Sequence, residues 1–342
     1  MYPCVDRGPD WAPAFAGEAR ISPPDSTQTA RFAADLDALV APGQRLGVAV
    51  SGGPDSIALL LLAVAARPGL IGAASVDHRL RAGASAEAEA VARLCDELGV
   101  AHHILTIDWP APPTSAIQEQ ARNARYTALG EWAVAHGLGT VATGHHADDQ
   151  AETLIMRLVR GAGVRGLAAM RRSAPLPGNS DVTLIRPLLG WRRAELAGVV
   201  ADCGVTAATD PSNDDQRHER VRIRRLMTQS EWLDPAALAA SAAHLAAADV
   251  AIDYAVACEW SRVDDDGDCL RYDPRDAPPE IRRRVAARMI AALANEGDGG
   301  TLRGRELDRL LSDMEAGSST TLRGVMASGG PVWCFRRAPP RR

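Results

Sequence analysis

Residues 51–56 read Ser51-Gly52-Gly53-Pro54-Asp55-Ser56, and this short stretch decides the fold of the chain. One apolar run, at 46–50, leads into it, and a second, at 57–64, leads out. The pattern predicts a strand, a glycine-rich turn and a helix. Glycines let backbone N–H groups converge on one point, and the free N–H groups of a helix start add positive potential there. We therefore predict an anion site, and phosphate is the expected anion.

The loop carries an acidic residue where the common phosphate loop carries a lysine. The chain contains no lysine, so all 38 residues counted as Lys or Arg are arginine. A carboxylate beside phosphates requires a bridging cation, and Mg²⁺ is the usual one. We predict that Asp55 binds Mg²⁺; the alternative is a serine- and glycine-rich turn in which Asp55 only caps the helix.

The hexapeptide, flanked by a strand and a helix, resembles the loop of the N-type ATP pyrophosphatases. This resemblance implies that the loop binds ATP, that the bond between the α and β phosphates is cleaved, and that an oxygen of a second substrate is adenylated. The residues to which it assigns ATP binding are Ser51, Gly52, Gly53, Pro54, Asp55 and Ser56.

Composition bounds the remaining possibilities. The 342 residues carry a net charge of −5, but residues 157–225 contain 13 arginines and 7 acidic residues and are locally basic. A local basic stretch matters more for nucleic-acid binding than the overall charge. None of the 6 cysteines forms a C-x-x-C pair, which predicts reduced cysteines in a cytoplasmic protein. We expect no membrane-spanning stretch and no signal peptide.

Strand-like and helix-like segments alternate from residue 46 onward, which predicts an α/β fold with a parallel sheet and helices on both faces. We predict a disordered tail at 1–28, a catalytic domain at 29–215, and a mainly helical region that ends in a small α+β module at 216–342. Among the later segments, the pattern predicts a strand at 182–189 and a helix at 279–293. Ligands of such sheets bind at the carboxyl ends of the strands. The segments 51–56, 77–81 and 144–149 each follow a strand, so we expect them to gather on one edge.

Charged residues near this edge are the remaining site candidates. Asp149 and Glu152 lie one helical turn apart and suit a cationic group. An alternative is a metal site formed by the neighbouring His145, His146 and Asp148. Ending the second strand, His78 and Arg81 are placed to face a nucleotide or a nucleic-acid backbone, although a plain polar loop is the alternative.

Arginines supply the candidate anion contacts. Arg122 lies in a predicted helix at 115–136 and suits a carboxylate, which guanidinium groups bind in a bidentate fork. A solvated ion-pair face is the alternative for this helix. Arg160 opens a basic glycine loop that a phosphate could approach, and five arginines lie between 217 and 225. Of these five, Arg220 and Arg224 are predicted to contact phosphates.

Several further stretches resemble those of the tRNA(Ile)-lysidine synthetases, and they occur in the order of that family between residues 46 and 226. The matching stretches are S-G-G-P-D-S, V-D-H-R-L-R, E-Q-A-R-N-A-R-Y, G-H-H-A-D-D-Q-A-E-T, R-G-A-G-V-R-G-L, R-P-L-L and D-P-S-N followed by arginines. Each is weak apart from the first, whereas the ordered set is specific.

The resemblance implies that ATP adenylates the oxygen at carbon 2 of the wobble cytidine of a tRNA(Ile) with a CAU anticodon. The amino group of free L-lysine then attacks, AMP leaves and lysidine remains. By the family pattern, Arg122 binds the carboxylate of lysine, and Asp149 and Glu152 bind its ammonium groups. The region at 216–342 is then expected to contact the tRNA. A carboxylate or His145 accepts the proton of the attacking amine, and the sequence does not decide between them.

Two other kinds of function remain open at this stage. A tRNA thiolase uses the same adenylation but usually brings paired cysteines, and glutamine-dependent members of the superfamily add an ammonia-producing domain. The chain could also be a non-catalytic ATP-binding sensor, which would leave Asp149, Glu152 and the arginines without a role. The sequence does not determine the oligomeric state.

Overall fold

The predicted strand, turn and helix at the centre of the chain are present. In the computed structural model, β1 (Leu46–Ala49) leads through the glycine turn into α2 (Pro54–Ala66). Every residue of α2 from Ser56 to Val64 is buried. A helix that is apolar on all sides must be covered on all sides, so α2 forms the centre of the domain. The structure describes residues 21–80, 84–109, 115–208, 219–294, 302 and 304–339.

The chain divides into two compact units, unit 1 (Met1–Ala246) and unit 2 (Ala247–Arg342). Unit 1 contains a six-stranded sheet with the strand order β3-β2-β1-β4-β6-β5. All neighbouring strands are parallel except the edge pair β5 and β6. Besides β1, the strands are β2 (Ile71–Asp77), β3 (Ala101–Thr106), β4 (Thr140–Ala142), β5 (Ser173–Leu176) and β6 (Asn179–Ile185).

Helices cover both faces of this sheet, as predicted. One face packs against α1, α2, α3 and α7, whose apolar side chains form a continuous core with β1. The other face packs against α4 through Tyr126, Leu129 and Trp132. The helices of unit 1 besides α2 are α1 (Ser26–Asp37), α3 (Ala84–Glu97), α4 (Ile117–Ala135), α5 (Ala147–Val159), α6 (Val164–Leu167), α7 (Arg193–Asp202) and α8 (Glu219–Gln229).

The amino-terminal segment and the domain limits differ from the prediction. Ile21 is buried in the core, and Asp25 caps α1 by accepting a hydrogen bond from the Thr27 N–H at 2.8 Å. Residues 21–28 therefore belong to the fold, which corrects that part of the predicted tail, while residues 1–20 lie outside the described residues. The predicted domain boundary at 215/216 also lies outside them, but α8, which follows it, belongs to unit 1.

The edge strand β5 is a second difference. The predicted strand at 182–189 corresponds to β6, but β5 was not predicted. It pairs antiparallel with β6 and contains Pro175, next to which the pairing register shifts. Proline is tolerated at a sheet edge, where its missing N–H is not needed. The sequence of β5 is short and contains a proline, so it does not indicate a strand by itself, and pairing with β6 stabilises it.

Unit 2 is the predicted α+β module. Its antiparallel sheet has the strand order β7-β8-β11-β10-β9 and shares one apolar core with three helices, α9 (Pro235–Trp260), α10 and α11. The prediction of a helix at 279–293 is confirmed, since α10 spans Pro279–Leu293. The other elements are β7 (Asp264–Asp265), β8 (Leu270–Tyr272), α11 (Gly304–Glu315), β9 (Ser319–Leu322), β10 (Val325–Ser328) and β11 (Trp333–Arg337).

Two features of the second half were not expected from the sequence. The helix α9 (Pro235–Trp260) is long and apolar enough, by length and composition, to cross a membrane. Alanine accounts for much of the apolar composition of α9. The helix also carries Asp249, which is fully buried and paired with Arg284. In addition, Cys269 and Cys334 form a disulfide across 65 residues, whereas all cysteines were expected to be reduced.

Candidate active site

The phosphate loop is shaped by its own serines. Gly52 has a φ of +85°, a conformation that other residues rarely adopt. The Ser56 hydroxyl donates to the Gly53 carbonyl at 2.9 Å and accepts a hydrogen bond from the Ser51 N–H at 3.1 Å. Ser56 is thus buried and holds the loop closed, while Ser51 is exposed. These hydrogen bonds lie within the loop itself, so they do not test the prediction that Ser56 contacts phosphate.

The segment after β4 passes directly against this loop. A Cβ on Gly144 would lie 2.9 Å from the Asp55 carbonyl oxygen, closer than real Cβ contacts allow. Glycine is therefore required where the two segments meet. This close approach brings the residues that begin α5 next to Asp55, as the parallel topology predicts.

A buried histidine connects the acidic residues of the two segments. The Nε2 atom of His146 lies 3.4 Å from Asp55 Oδ2 and 3.5 Å from Asp149 Oδ2, and its Nδ1 atom lies 3.6 Å from Asp148 Oδ2. Burial alone would lower the pKa of His146, but the carboxylates of Asp148, Asp55 and Asp149 raise it to about 9. At neutral pH the histidine is an imidazolium, and three carboxylates face it.

Asp148 has structural partners of its own. It accepts a hydrogen bond from the Arg193 N–H at 2.9 Å and lies 3.4 Å from Arg192 Nε. Burial would raise the pKa of Asp148, but His146 and the Arg193 N–H hold it well below its usual range. The single positive charge of His146 then faces two remaining carboxylates, those of Asp55 and Asp149. This part of the site therefore favours a further cation.

The residues fit a Mg²⁺ ion at Asp55. Its Oδ1 atom is buried and has no hydrogen-bond partner among the described residues. A carboxylate oxygen is a preferred ligand of this ion, and ATP phosphates would supply others. The alternative metal site at His145, His146 and Asp148 is not supported, because no cluster of three or more metal-ligating side chains occurs in the described part of the chain.

The neighbouring His145 differs from His146 in charge. Its Nδ1 atom lies 2.9 Å from the Thr143 hydroxyl. Burial first, and then the nearby guanidinium groups of Arg186, Arg122 and Arg220, lower its pKa to about 4, although Asp149 opposes this. His145 is therefore neutral at physiological pH and can accept a hydrogen bond, and its lowered pKa makes it a weak proton acceptor.

Glu152 has a partner that the sequence did not suggest. It is 1% exposed, and its Oε1 accepts a hydrogen bond from Arg224 Nε at 2.8 Å. Its Oε2 atom is buried and, within the described residues, has no hydrogen-bond partner. Two residues that were predicted for different substrates, Glu152 for lysine and Arg224 for tRNA, thus form one ion pair because α8 packs on α5.

The other predicted residues lie at or near this edge with different exposure. Arg122 is exposed and its guanidinium carbon lies 5.0 Å from the ring centroid of Tyr126. Arg220 and Arg160 are also exposed, and Arg160 pairs with Glu219 at the start of α8. His78 directly follows β2, and both of its ring nitrogens are buried without a hydrogen-bond partner in the described residues.

Arg81 lies outside the described residues, so its predicted tRNA contact stays a prediction. Sequence analysis did not assign site roles to Gly144 and Arg186, and it named His146 only as part of an alternative metal site; the structure places all three at the same edge. The signal for all three was position, because each lies between the end of a strand of the parallel sheet and the helix that follows. Among many such polar residues, however, the sequence does not show which ones become buried.

Comparisons with known proteins agree with this geometry. A family model for the PP-loop domain matches residues 24–231. A tRNA(Ile)-lysidine synthase of Novosphingobium aromaticivorans is 47% identical over 318 residues, which cover 93% of this chain and 96% of that protein. Another, from Zymomonas mobilis, is 41% identical over 87% of this chain and 90% of that protein.

A similar solved structure has a different name. A U34-tRNA thiolase of Methanococcus maripaludis superposes with a TM-score of 0.54 and 16% identity, and the match covers 64% of this chain and 76% of that one. This likeness shows a shared fold and no more. The identity and coverage of the two sequence relatives go further, and the chain therefore belongs to the tRNA(Ile)-lysidine synthase family.

Proposed function

We propose that this protein uses ATP to ligate free L-lysine to carbon 2 of the wobble cytidine of a tRNA(Ile) with a CAU anticodon. The products are lysidine in the tRNA, AMP and pyrophosphate. The observation that carries the proposal is the 47% identity to a tRNA(Ile)-lysidine synthase over 93% of the chain. The buried charges described above give this reaction two neighbouring sites.

The first site serves adenylation. The turn at 51–56 and the start of α2 present backbone N–H groups to the phosphates, and preorganised donors of this kind stabilise developing negative charge. Mg²⁺, when bound at Asp55, supplies charge neutralisation for the phosphates. His146 fixes the position of Asp55 through the 3.4 Å contact between Nε2 and Oδ2. The wobble base belongs to a loop, so moving it out of its stack costs little.

The second site binds lysine. The Oε2 atom of Glu152 and the carboxylate of Asp149 are proposed to bind its ammonium groups, and Arg122 its carboxylate. An amine attacks only after losing a proton. His146 already carries a proton at neutral pH, so it cannot accept this one. The neutral His145 and the carboxylates of α5 are the available acceptors in this group.

The tRNA is proposed to bind along the arginines of α8 and of the loop after α5. Arg220 is exposed there, and phosphate contacts by arginine dominate nucleic-acid affinity. We further propose that the protein works in the cytoplasm and that residues 1–246 form the catalytic unit. The helical and α+β elements that follow are proposed to add tRNA contacts.

The thiolase alternative has less support. Cys95 and Cys203 are buried, and burial raises the pKa of their thiols to about 12 and about 11, which makes them poor nucleophiles. The third free cysteine of the described residues, Cys258, lies in α9, outside the phosphate-loop edge. The paired cysteines belong to unit 2.

A direct experiment tests the proposed function. The purified protein is incubated with labelled lysine, ATP, Mg²⁺ and total tRNA, and the tRNA is then digested to nucleosides. The expected product is one labelled nucleoside with the mass of lysidine, together with one AMP and one pyrophosphate per lysine. Release of pyrophosphate without lysine in the tRNA, or incorporation of sulfur when a donor is present, would contradict the proposal.

A further inference from the structure

Arg186 is a buried cation beside the proposed lysine site for which no role has been given so far. It follows the last residue of β6, Ile185, which pairs with Ala142 of the parallel strand β4. The Thr143 N–H donates to the Ile185 carbonyl at 3.1 Å. Arg186 therefore leaves the sheet at its carboxyl edge, next to the segment that carries His145.

The guanidinium of Arg186 is only partly satisfied by the protein. The residue is 6% exposed, and its Nη1 atom donates a hydrogen bond to the Arg171 carbonyl at 2.8 Å. Its Nε atom is buried and makes no hydrogen bond within the described part of the chain. A buried charge without an opposite charge is costly, so such a group is retained where a ligand provides that charge.

A second guanidinium lies close by and adds to this cost. Tyr126 connects the two, because its ring lies 5.0 Å from the Arg122 guanidinium carbon and its hydroxyl interacts with Arg186. Burial lowers the pKa of Arg186, the Tyr126 hydroxyl opposes this, and the positive charge of Arg122 lowers it further. Two like charges held around one tyrosine form a site prepared for an anion.

A carboxylate acts on His145 together with this pair of guanidinium groups. The charges that act on His145 are the carboxylate of Asp149 and the guanidiniums of Arg186, Arg122 and Arg220. The site therefore has a negative and a positive side within a short distance. A free α-amino acid, which carries an ammonium and a carboxylate on one carbon, complements both sides.

We propose that Arg186, together with Arg122, binds the α-carboxylate of the amino-acid substrate and so selects an amino acid over a simple diamine. The inference rests on the proposed function and deepens it. A guanidinium can hold a carboxylate with two parallel hydrogen bonds, and the buried Nε is one of the donors used in such a fork. The small carboxylate can reach a buried arginine more easily than the backbone of a folded RNA can.

The test compares lysine with cadaverine, which has the same two amines but no carboxylate. The variants are Arg186→Gln, the charge-preserving Arg186→Lys, and the control Arg45→Gln. Arg45 is a suitable control because it is exposed, precedes β1 at the opposite edge of the sheet and donates only to the His136 carbonyl among the described residues. The readouts are the lysine KM, the inhibition constant of cadaverine against lysine, and thermal unfolding.

For Arg186→Gln we expect the lysine KM to rise about tenfold or more while the cadaverine inhibition constant stays within about twofold. Arg186→Lys should recover part of the lysine affinity, and Arg45→Gln should match wild type. Equal weakening of lysine and cadaverine would contradict the inference. An unchanged lysine KM combined with weaker tRNA binding and a flatter salt dependence would also overturn it and would assign Arg186 to a phosphate.

The proposed function and the role of Arg186 can be tested separately, because a failure of each gives a different result. If wild type incorporates no lysine into tRNA, the function fails; lysine binding by wild type and by Arg186→Gln is then compared by equilibrium dialysis in the presence of ATP. If Arg186→Gln does not fold, Arg186→Lys carries the same comparison. Equal affinities of wild type and variant for lysine in dialysis would contradict the role of Arg186.

Discussion

Unit 1 and unit 2 each bury charged side chains, and Arg284 of unit 2 differs from Glu152 of unit 1 in how fully opposite charges surround it. In unit 2, Arg284 is 6% exposed and lies 2.6 Å from Asp249, 2.8 Å from Asp253 and 2.7 Å from Glu280. At the sheet edge of unit 1, Glu152 is as deeply buried, yet one of its carboxylate oxygens has no hydrogen-bond partner among the described residues.

This difference separates two uses of buried charge. A buried cation surrounded by several carboxylates needs nothing from outside and can contribute to a unique packing. Groups such as Asp55 Oδ1, Glu152 Oε2 and Arg186 Nε are desolvated without full compensation. That cost is expected where ligands supply the missing partner, because binding and catalysis use groups that are positioned before the ligand arrives.

The largest expected effect concerns Asp55. We predict that Asp55→Asn reduces tRNA-dependent pyrophosphate release to background, because the amide cannot hold Mg²⁺ at the phosphates. tRNA binding should remain normal, which a filter-binding assay checks. Near-normal AMP production by a folded variant would contradict the role of Asp55 in metal binding.

Arg284 provides the matching test in unit 2. We predict that Arg284→Met lowers the free energy of unfolding by about 3 kcal/mol, because it leaves three carboxylates without their cation. Arg275→Met is the control, since Arg275 pairs with Asp273 on the surface and its loss should change the free energy of unfolding little. Denaturant unfolding measures both, and a lysine KM changed by Arg284→Met at low temperature would contradict a purely structural role.

The buried His146 and the half-buried His102 predict opposite dependences of stability on pH. The pKa of His146 is raised to about 9, so its contribution is fully present below pH 6.5 and is lost as pH rises through about 9. Burial lowers the pKa of His102 to about 4, so its contribution is lost as pH falls from 6.5 toward 4. Without Mg²⁺, wild type should lose up to about 3 kcal/mol of unfolding free energy as pH rises through about 9, and His146→Gln should not show this loss. His102→Gln should show the same alkaline loss as wild type.

Denaturant unfolding at several pH values between 6 and 9.5, in the presence of a chelator, gives this comparison. The quantity to compare is the difference in the free energy of unfolding between wild type and each variant at every pH. A wild-type stability that shows the same alkaline decline as His146→Gln would mean that the histidine is not protonated among the three carboxylates.

The smallest expected effect concerns the exposed arginine of α8. Arg220→Ala should weaken tRNA binding and reduce the slope of log affinity against log salt by about one unit. Arg224→Ala should reduce that slope less, because Arg224 already pairs with Glu152. Equal slopes for wild type and Arg220→Ala would exclude a phosphate contact at this position.

Part of this structure could be predicted from the sequence because it depends on local patterns. The apolar runs around residues 51–56 predict β1 and α2, and α10 matches its predicted limits. The alternation of strands and helices predicts which loops share one sheet edge. The edge strand β5 was missed, since its pairing with β6 and not its own sequence stabilises it.

The partners of the site residues could not be predicted in the same way. The pair between Glu152 and Arg224 exists because α8, 72 residues further along the chain, packs on α5. The disulfide between Cys269 and Cys334 likewise joins distant positions. Such contacts follow from tertiary packing, whereas spacing along one helix shows only that Asp149 and Glu152 share a face.

The central claim is that the two carboxylates of α5 serve lysine transfer and the phosphate loop serves adenylation. The most direct test measures lysine incorporation into tRNA against lysine concentration at saturating ATP, for wild type, Asp149→Asn and Glu152→Gln, together with pyrophosphate release. Losing a carboxylate contact to an ammonium group costs about 1.5–3 kcal/mol, so each variant should raise the lysine KM about tenfold or more while the apparent ATP affinity changes little. If both variants keep the wild-type dependence on lysine and instead lose ATP binding, these acids belong to the metal site and the account is contradicted.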